Sequence, residues 1–291
     1  MSWRTVIISS RCKLDLKMGY MVVRGDEIHR IYLDEIALLM IENPAVSMTG
    51  CLLSELVERK VKVIFCDEKH NPQSELLPYY GCHDTSRKIN RQISWEAELT
   101  GTVWTAIVAR KILNQAGLLR ESGHLKEAAM LEAYIEQIDF QDISNREGHA
   151  AKVYFNALFG REFLRSAETP LNAALDYGYS ILLSAFNREI AANGYLTQIG
   201  LHHGNVFNQF NLSSDLMETF RPLVDREVHS IMPKEMNGEI KRRLFNLLNG
   251  QIQIAGSRQT VLNAISIYTK SVFDALDAAD THLIKFWDYE L

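Results

Sequence analysis

Up to about residue 70, short runs rich in β-branched and aromatic residues predict strands: "WRTVIISS", "YMVVRG", "EIHRIYL" and "VKVIFCD". In "VVRGDEIHRIYL", Gly25-Asp26 separates two such runs and predicts a hairpin. Between the later strands, Leu52, Leu53, Leu56 and Val57 of "TGCLLSELVERK" recur at helical spacing, with Thr49 as the candidate cap. Residues 1–70 are therefore expected to form a small, mostly-β domain with one helix. The stretch "EKHNPQSELLPYYGCHD" carries two of the six prolines and breaks both periodicities, so 71–86 reads as a linker. Beyond it the period changes. Ile89, Ile93 and Trp95, then Trp104, Ile107, Val108 and Ile112, fall at helical stripe spacing. Similar stripes recur in "LEAYIEQI", "HAAKVYFNALFG", "NAALDYGYSILLSAFNREIAANG" and "TVLNAISIYTKSVFDALD". The predicted architecture is α+β: the N-terminal β domain followed by a larger all-helical domain over 87–291, with no internal repeat.

Composition adds limits. The 291 residues are 47% hydrophobic and 23% charged, which suits a globular chain with a sizeable core. A net charge of −5 gives no global sign of a polyanionic partner, so any grip on nucleic acid must come from local basic clusters. Cys12, Cys51, Cys66 and Cys82 are scattered without a C-x-x-C pair, as expected for reduced thiols. "MSWRTVIISSRCK" has no long apolar segment of the secretory kind, and no apolar run approaches the ~20 residues of a membrane span. The expected location is cytoplasmic.

Three places in the helical half set acids or histidines among unusual neighbours. In "SNREGHAAKVYF", Ser144 and Glu147 fit a capping box, although Gly148 in a first turn weakens a helix and permits close approach. In "GLHHGN", His202 and His203 lie between Gly200 and Gly204, which suggests a tight turn. In "SSDLMETF", Asp215 and Glu218 are either an N-cap and its reciprocal partner or two acids sharing one helix face. Taken together, a glutamate, an imidazole and a further acid form an oxygen-rich set that suits Mg²⁺ or Mn²⁺ better than zinc.

The blocks "SNREGHAAKVYFNALFG", "PLNAALDYGYSILLSAFNREI" and "GLHHGNVFNQFNLSSDLMETFRPLVD", with "WRTVIISS", "VKVIFCD" and "NRQISW" before them, occur in an order that resembles the CRISPR-associated integrase family. The likeness is greatest to its type II-A branch. It implies a catalytic subunit of spacer acquisition, with Glu147, His203 and Glu218 as catalytic metal ligands and Asp215 in support. The implied cofactor is Mg²⁺ or Mn²⁺. The implied reaction is insertion of a short DNA fragment into the CRISPR array, by attack of a 3′-hydroxyl on a phosphodiester at the leader–repeat boundary. The absence of a Walker-type G-x-x-x-x-G-K-[ST] run agrees with a reaction that uses no nucleotide. The implied partners are double-stranded DNA, a second copy of the chain, and a dimer of a small second acquisition protein that bridges two such dimers. Candidate phosphate contacts are Arg87, Lys88 and Arg91, then Arg110 and Lys111, then Lys241, Arg242 and Arg243. Two other functions are compatible with the residues: a metal-dependent DNA nuclease that does not join, and a DNA-binding scaffold without catalysis.

Overall fold

A computed structural model describes residues 4–68, 70–76 and 82–289. The chain divides into two units, Met1–Gly81 and Cys82–Leu291. The first holds β1 (Arg4–Ile8), β2 (Lys13–Lys17), β3 (Tyr20–Arg24), β4 (Ile28–Tyr32), β5 (Ile36–Ile41), β6 (Ser47–Met48), α1 (Gly50–Glu58), β7 (Lys62–Cys66) and β8 (Pro72–Leu76). These strands form two four-stranded sheets, ordered β1-β5-β7-β8 and β4-β3-β2-β6. The continuous apolar run of β5, "IALLMI", lies between parallel neighbours β1 and β7 and is buried along its whole length. Leu14, Met21, Leu33, Ile36, Leu39, Leu52, Leu56 and Val63 form the core of this unit.

Both local expectations for this unit hold. Arg24 pairs with Ile28 across the turn at Gly25-Asp26, and Thr49 Oγ1 accepts a hydrogen bond from the Leu52 N–H at 3.3 Å. The linker needs correction. Residues 72–76 are strand β8, antiparallel to β7, with Val63 opposite Leu76. Pro72 opens this edge strand, a position where a missing N–H is tolerated. Lys62 of β7, almost inaccessible, pairs there with Glu75. The remainder of the expected linker lies partly in 77–81, outside the described residues, and partly in the first helix of the second unit.

That unit contains α2 (Thr85–Ile93), α3 (Ala97–Glu121), α4 (Leu125–Ile135), α5 (Arg146–Phe159), α6 (Pro170–Ala192), α7 (Asn211–Met217), α8 (Arg221–Ile231) and α9 (Gly238–Asn246). After them come β9 (Gln251–Ile254), β10 (Ser257–Thr260), α10 (Val261–Ala278) and β11 (Trp287–Asp288). It is mainly helical but not all-helical. An antiparallel sheet, β10-β9-β11, turns at Ala255-Gly256, whose φ values of 51° and 73° suit a two-residue hairpin.

The centre of the unit is the 25-residue α3, which buries Trp104, Ile107, Val108 and Ile112 as its stripe requires. It packs on α4, α5, α8 and α10. The same stripe also carries Lys111, Asn114 and Gln115 inward. α6 starts on a Thr169 cap with Pro170 in its first turn. It approaches α8 closely at Gly178, where a Cβ would come within 2.4 Å of Val224 Cγ1. One stripe position fails. Ile93 is 65% exposed, and the residue that α2 buries is Gln92.

Candidate active site

Glu147 stands in the first turn of α5, but the expected capping box with Ser144 does not form. Asn145 is the cap, held at φ 54°, and its Oδ1 accepts from the Gly148 N–H at 3.1 Å. The Asp142 carboxylate accepts from the N–H groups of Arg146 (2.7 Å) and Glu147 (2.9 Å), while Ser144 donates to Asp139. Gly148 is explained by the cap: a Cβ there would sit 2.6 Å from Asn145 Oδ1. With the first-turn donors satisfied by others, the Glu147 side chain is free to face α3. There its Oε1 lies 2.5 Å from Lys111 Nζ.

Glu218 occupies one tight helical turn between α7 and α8. The next carbonyl, that of Thr219, accepts from Asn114 Nδ2 at 3.0 Å and from Trp287 Nε1 at 2.9 Å, which fixes the turn. The Glu218 carboxylate is 4% exposed; Lys111 Nζ contacts its Oε2, and Arg221 Nε lies 2.9 Å from its Oε1. Burial pushes Glu218 up, but Arg221 and Lys111 together hold it below the usual carboxylate range. Burial likewise pulls Lys111 down, and Glu218 and Glu147 carry it above its ordinary value. Arg221 is stacked 4.6 Å over the Tyr179 ring. Beneath it, Asp225 accepts hydrogen bonds from the hydroxyls of Tyr154 and Tyr179, and burial pushes its carboxyl up to about 6.

Asp215 does not cap a helix. It lies inside α7, fully buried, and its carboxylate gathers the histidine loop. Oδ2 accepts from the Leu201 N–H (2.6 Å) and the His202 N–H (3.1 Å). Oδ1 accepts from the His203 N–H (3.2 Å) and pairs with His203 Nδ1 (2.5 Å). This hydrogen bond raises the His203 pKa above its ordinary value against the opposing effect of burial, with smaller contributions from the Asp215, Glu218 and Glu147 charges. Binding Nδ1 to Asp215 leaves Nε2 as the ring nitrogen not engaged by this acid, an arrangement that can orient an imidazole toward a ligand. Gly200 is required here, because a Cβ would lie 2.5 Å from the His203 carbonyl and 2.6 Å from Asp215 Oδ2. His202 plays a different part: its ring stacks on Trp104, with centroids 4.5 Å apart and planes 3° apart.

Two further clamps hold this loop. Gln92 Nε2 donates to the carbonyls of Leu196 (2.8 Å) and Ile199 (2.9 Å), while its Oε1 accepts from the Leu196 N–H (2.9 Å). Asn211 Nδ2 donates to the Gln198 and Asn205 carbonyls, both at 3.0 Å. The amide-rich run is therefore loop bracing, with Val206 and Phe207 left exposed.

The expected surface cations are largely engaged within the chain. Arg87 and Lys88 pair with Asp84, Arg91 with Asp277 and Arg110 with Asp288. Arg243 pairs with Glu227, and Arg242 stays exposed on α9. Lys241 is buried over the Tyr177 ring, which corrects its reading as a surface contact. Lys111 needs the larger correction, since it belongs to the acidic centre. Lys111, Arg221, Gln92 and Asp225 were all missed as site residues. Among the described residues, the group of ligand atoms lying within 4.8 Å of one another is Cys82-His83-Asp84, whose aspartate is already paired with Arg87 and Lys88. Glu147 and Glu218 are joined through the Lys111 ammonium, and both glutamate charges act on His203, although the three ligand atoms do not all close to that distance.

Residues 5–263 match the family model described as CRISPR associated protein Cas1. The chain belongs to this family. It is 35% identical over 271 residues to the CRISPR-associated endonuclease Cas1 of Neisseria meningitidis serogroup C, covering 91% of this chain and 89% of that protein. Among solved structures it resembles a casposase bound to integration product (TM-score 0.76, 15% identity, 95% of this chain and 92% of that one). It also resembles a chain of a partial Cas6-RT-Cas1–Cas2 complex (TM-score 0.68, 18% identity, 99% of both chains). At these identities the two structures establish the Cas1-type fold, with a β-rich N-terminal part and a helical C-terminal part. No helix among the described residues is long and apolar enough to cross a membrane.

Proposed function

We propose that this chain is a divalent-metal-dependent DNA integrase that inserts short foreign fragments into a CRISPR array. The observation that carries the reading is the convergence of Glu147 and Glu218, from separate elements, on a single positive charge beside a histidine oriented by a buried acid. The N. meningitidis relative is named an endonuclease, and the casposase holds an integration product; both suit a phosphodiester-transfer enzyme. The type II-A placement rests on the order of the sequence blocks. A cytoplasmic location suits a reaction on chromosomal DNA.

The donor set fits Mg²⁺ or Mn²⁺. The Lys111 ammonium is a stand-in for a cation between the two carboxylates, and the buried Glu218 Oε2 has no aligned hydrogen-bond donor. Glu147, Glu218 and Nε2 of His203 would hold the ion. When bound, it supplies Lewis acidity toward the phosphate and lowers the pKa of the attacking 3′-hydroxyl.

The protein's own groups do the rest. Asp215 keeps the His203 ring in one tautomer, and Arg221 holds Glu218 ionised despite its burial. In the joining step the fragment's 3′-oxygen forms a bond to phosphorus and the target strand's 3′-oxygen leaves, taking up a proton. No covalent enzyme intermediate is needed. Attack by water at the same centre gives cleavage, so a nuclease activity accompanies joining. The assembly is read as a homodimer, with two dimers bridged by a dimer of a second small protein. The name of the Cas1–Cas2 complex among the structural relatives supports such a partner.

The test is joining of a labelled fragment to a supercoiled plasmid in Mg²⁺ or Mn²⁺. Glu147→Gln is expected to bind DNA and to abolish joining, because an amide is a poor ligand for a hard cation. Full joining by that variant would remove Glu147 from the site. Cleavage without any joining by the wild-type protein would favour the nuclease reading.

A further inference from the structure

A buried lysine bridging two proposed metal ligands does more than complete an ion pair. Lys111 is 7% exposed and lies on the inward stripe of α3, with Glu147 on one side and Glu218 on the other. Removing an ammonium from water is costly, and the side chain recovers that cost chiefly through the two carboxylates. Glu218 already has its own cation, since Arg221 Nε lies 2.9 Å from its other oxygen. Two acids and two bases thus leave the centre balanced when no metal is bound. The two contacts of Lys111 also differ in kind. That to Glu147 is an aligned hydrogen bond, whereas Glu218 Oε2 receives charge without an aligned donor. An ammonium on a flexible stem is a point charge that can withdraw; the fork of an arginine would be fixed in place.

We infer that Lys111 is a resident counter-cation, which holds Glu147 and Glu218 together in the metal-free protein and competes with the divalent ion for them. The inference rests on the metal reading above. Lys111 acts through the ligands and is a positioning residue. It restrains the buried Glu218 and the half-buried Glu147 from repelling one another, and it lowers metal affinity because a second positive charge must move away when the dication enters.

The test is a titration of the full chain with Mn²⁺ alone at pH 8, by calorimetry, with thermal unfolding in EDTA and in Mn²⁺. Lys111→Met keeps the length and apolar stem of the side chain and removes the charge. It is expected to lower the midpoint in EDTA, to tighten the Mn²⁺ Kd at least about tenfold, and to widen the gap between the two midpoints. A lysine with a merely structural role would give the opposite sign, with stability and metal affinity falling together. If Lys111→Met does not fold in EDTA, its recovery at Mn²⁺ concentrations below the wild-type Kd supports the inference. Failure to fold in both conditions overturns it, as does an unchanged or weaker Kd. Glu147→Gln separates this from failure of the metal reading. If wild type binds Mn²⁺ no better than Glu147→Gln, the metal reading falls. If wild type binds better and Lys111→Met binds no tighter than wild type, only the role of Lys111 falls.

Discussion

Asp215→Asn is the sharpest perturbation the site offers, because it keeps the shape of the side chain and changes one atom. The carboxylate is fully buried and accepts four hydrogen bonds, three from backbone N–H groups at 201–203 and one from His203 Nδ1. An asparagine has one acceptor oxygen. In either orientation its amide turns a donor toward two N–H groups: those of Leu201 and His202, or the main chain and ring of His203. Losing two bonds to a charged acceptor, with buried donors left unpaired, costs about 3–5 kcal/mol. For a unit of this size that corresponds to a fall in Tm of roughly 6–20 °C. The second consequence is chemical. If the amide donates to Nδ1, the imidazole proton moves to Nε2 and the nitrogen left for coordination is blocked. The expected result in urea unfolding and Mn²⁺ titration is therefore a large loss of stability together with a weakened metal site. A variant within about 0.5 kcal/mol of wild type that binds Mn²⁺ normally would refute the role assigned to Asp215.

Two further outcomes can be measured on the same protein. Gln92→Ala removes three hydrogen bonds to the 196–199 segment, and urea unfolding is expected to report a loss of about 2–3 kcal/mol; a loss below 1 kcal/mol would mean that the loop is held by Asp215 and Asn211 without it. Asp225 has its carboxyl raised from 3.8 to about 6, so the folded state binds the proton more tightly and stability falls as pH rises from about 4 to about 6, by ~3 kcal/mol for this group. Asp225→Asn is expected to lose that decline, and parallel pH profiles for the two proteins would contradict the burial of an ionisable acid there.

Much of the fold is legible in the chain because period and turn chemistry agree. β1, β3, β4 and β7 alternate or carry β-branched residues, and the stripe of α3 buries the four side chains it names. The failures have physical causes. β8 is an edge strand with a proline and three polar residues, so it looks like a linker until β7 pairs with it. The alternation in "QIQI" of β9 is four residues long and lies between helices, where its period carries little weight against its surroundings. At the site, Ser144-x-x-Glu147 and Asp215-x-x-Glu218 match local capping patterns, because caps and facing acids share the same i, i+3 spacing. The structure uses Asn145 and Asp142 for the cap instead. Arg110 and Lys111 look like one surface cluster, yet consecutive helical residues point about 100° apart. Arg110 reaches Asp288, and Lys111, a charge on a buried and largely apolar stripe, faces the acids. That misplaced charge was the available signal.

The acids and imidazoles of 200–218 have only Arg221 near them in sequence, and the two acids solve this in different ways. Asp215 is satisfied by backbone N–H groups and by the ring it orients, all of them fixed by the loop, so nothing about it can be exchanged without dismantling that loop. Glu218 is satisfied by side-chain cations, one of them an ammonium on a flexible stem. Mobile charge can be traded for a metal ion, and fixed dipoles cannot. The same contrast separates a positioning acid from a ligand, although both are buried carboxylates three residues apart. It assigns Asp215 to holding His203, and under the proposed metal dependence it leaves Glu147 and Glu218, joined through Lys111, as the pair that would change partners for a divalent cation.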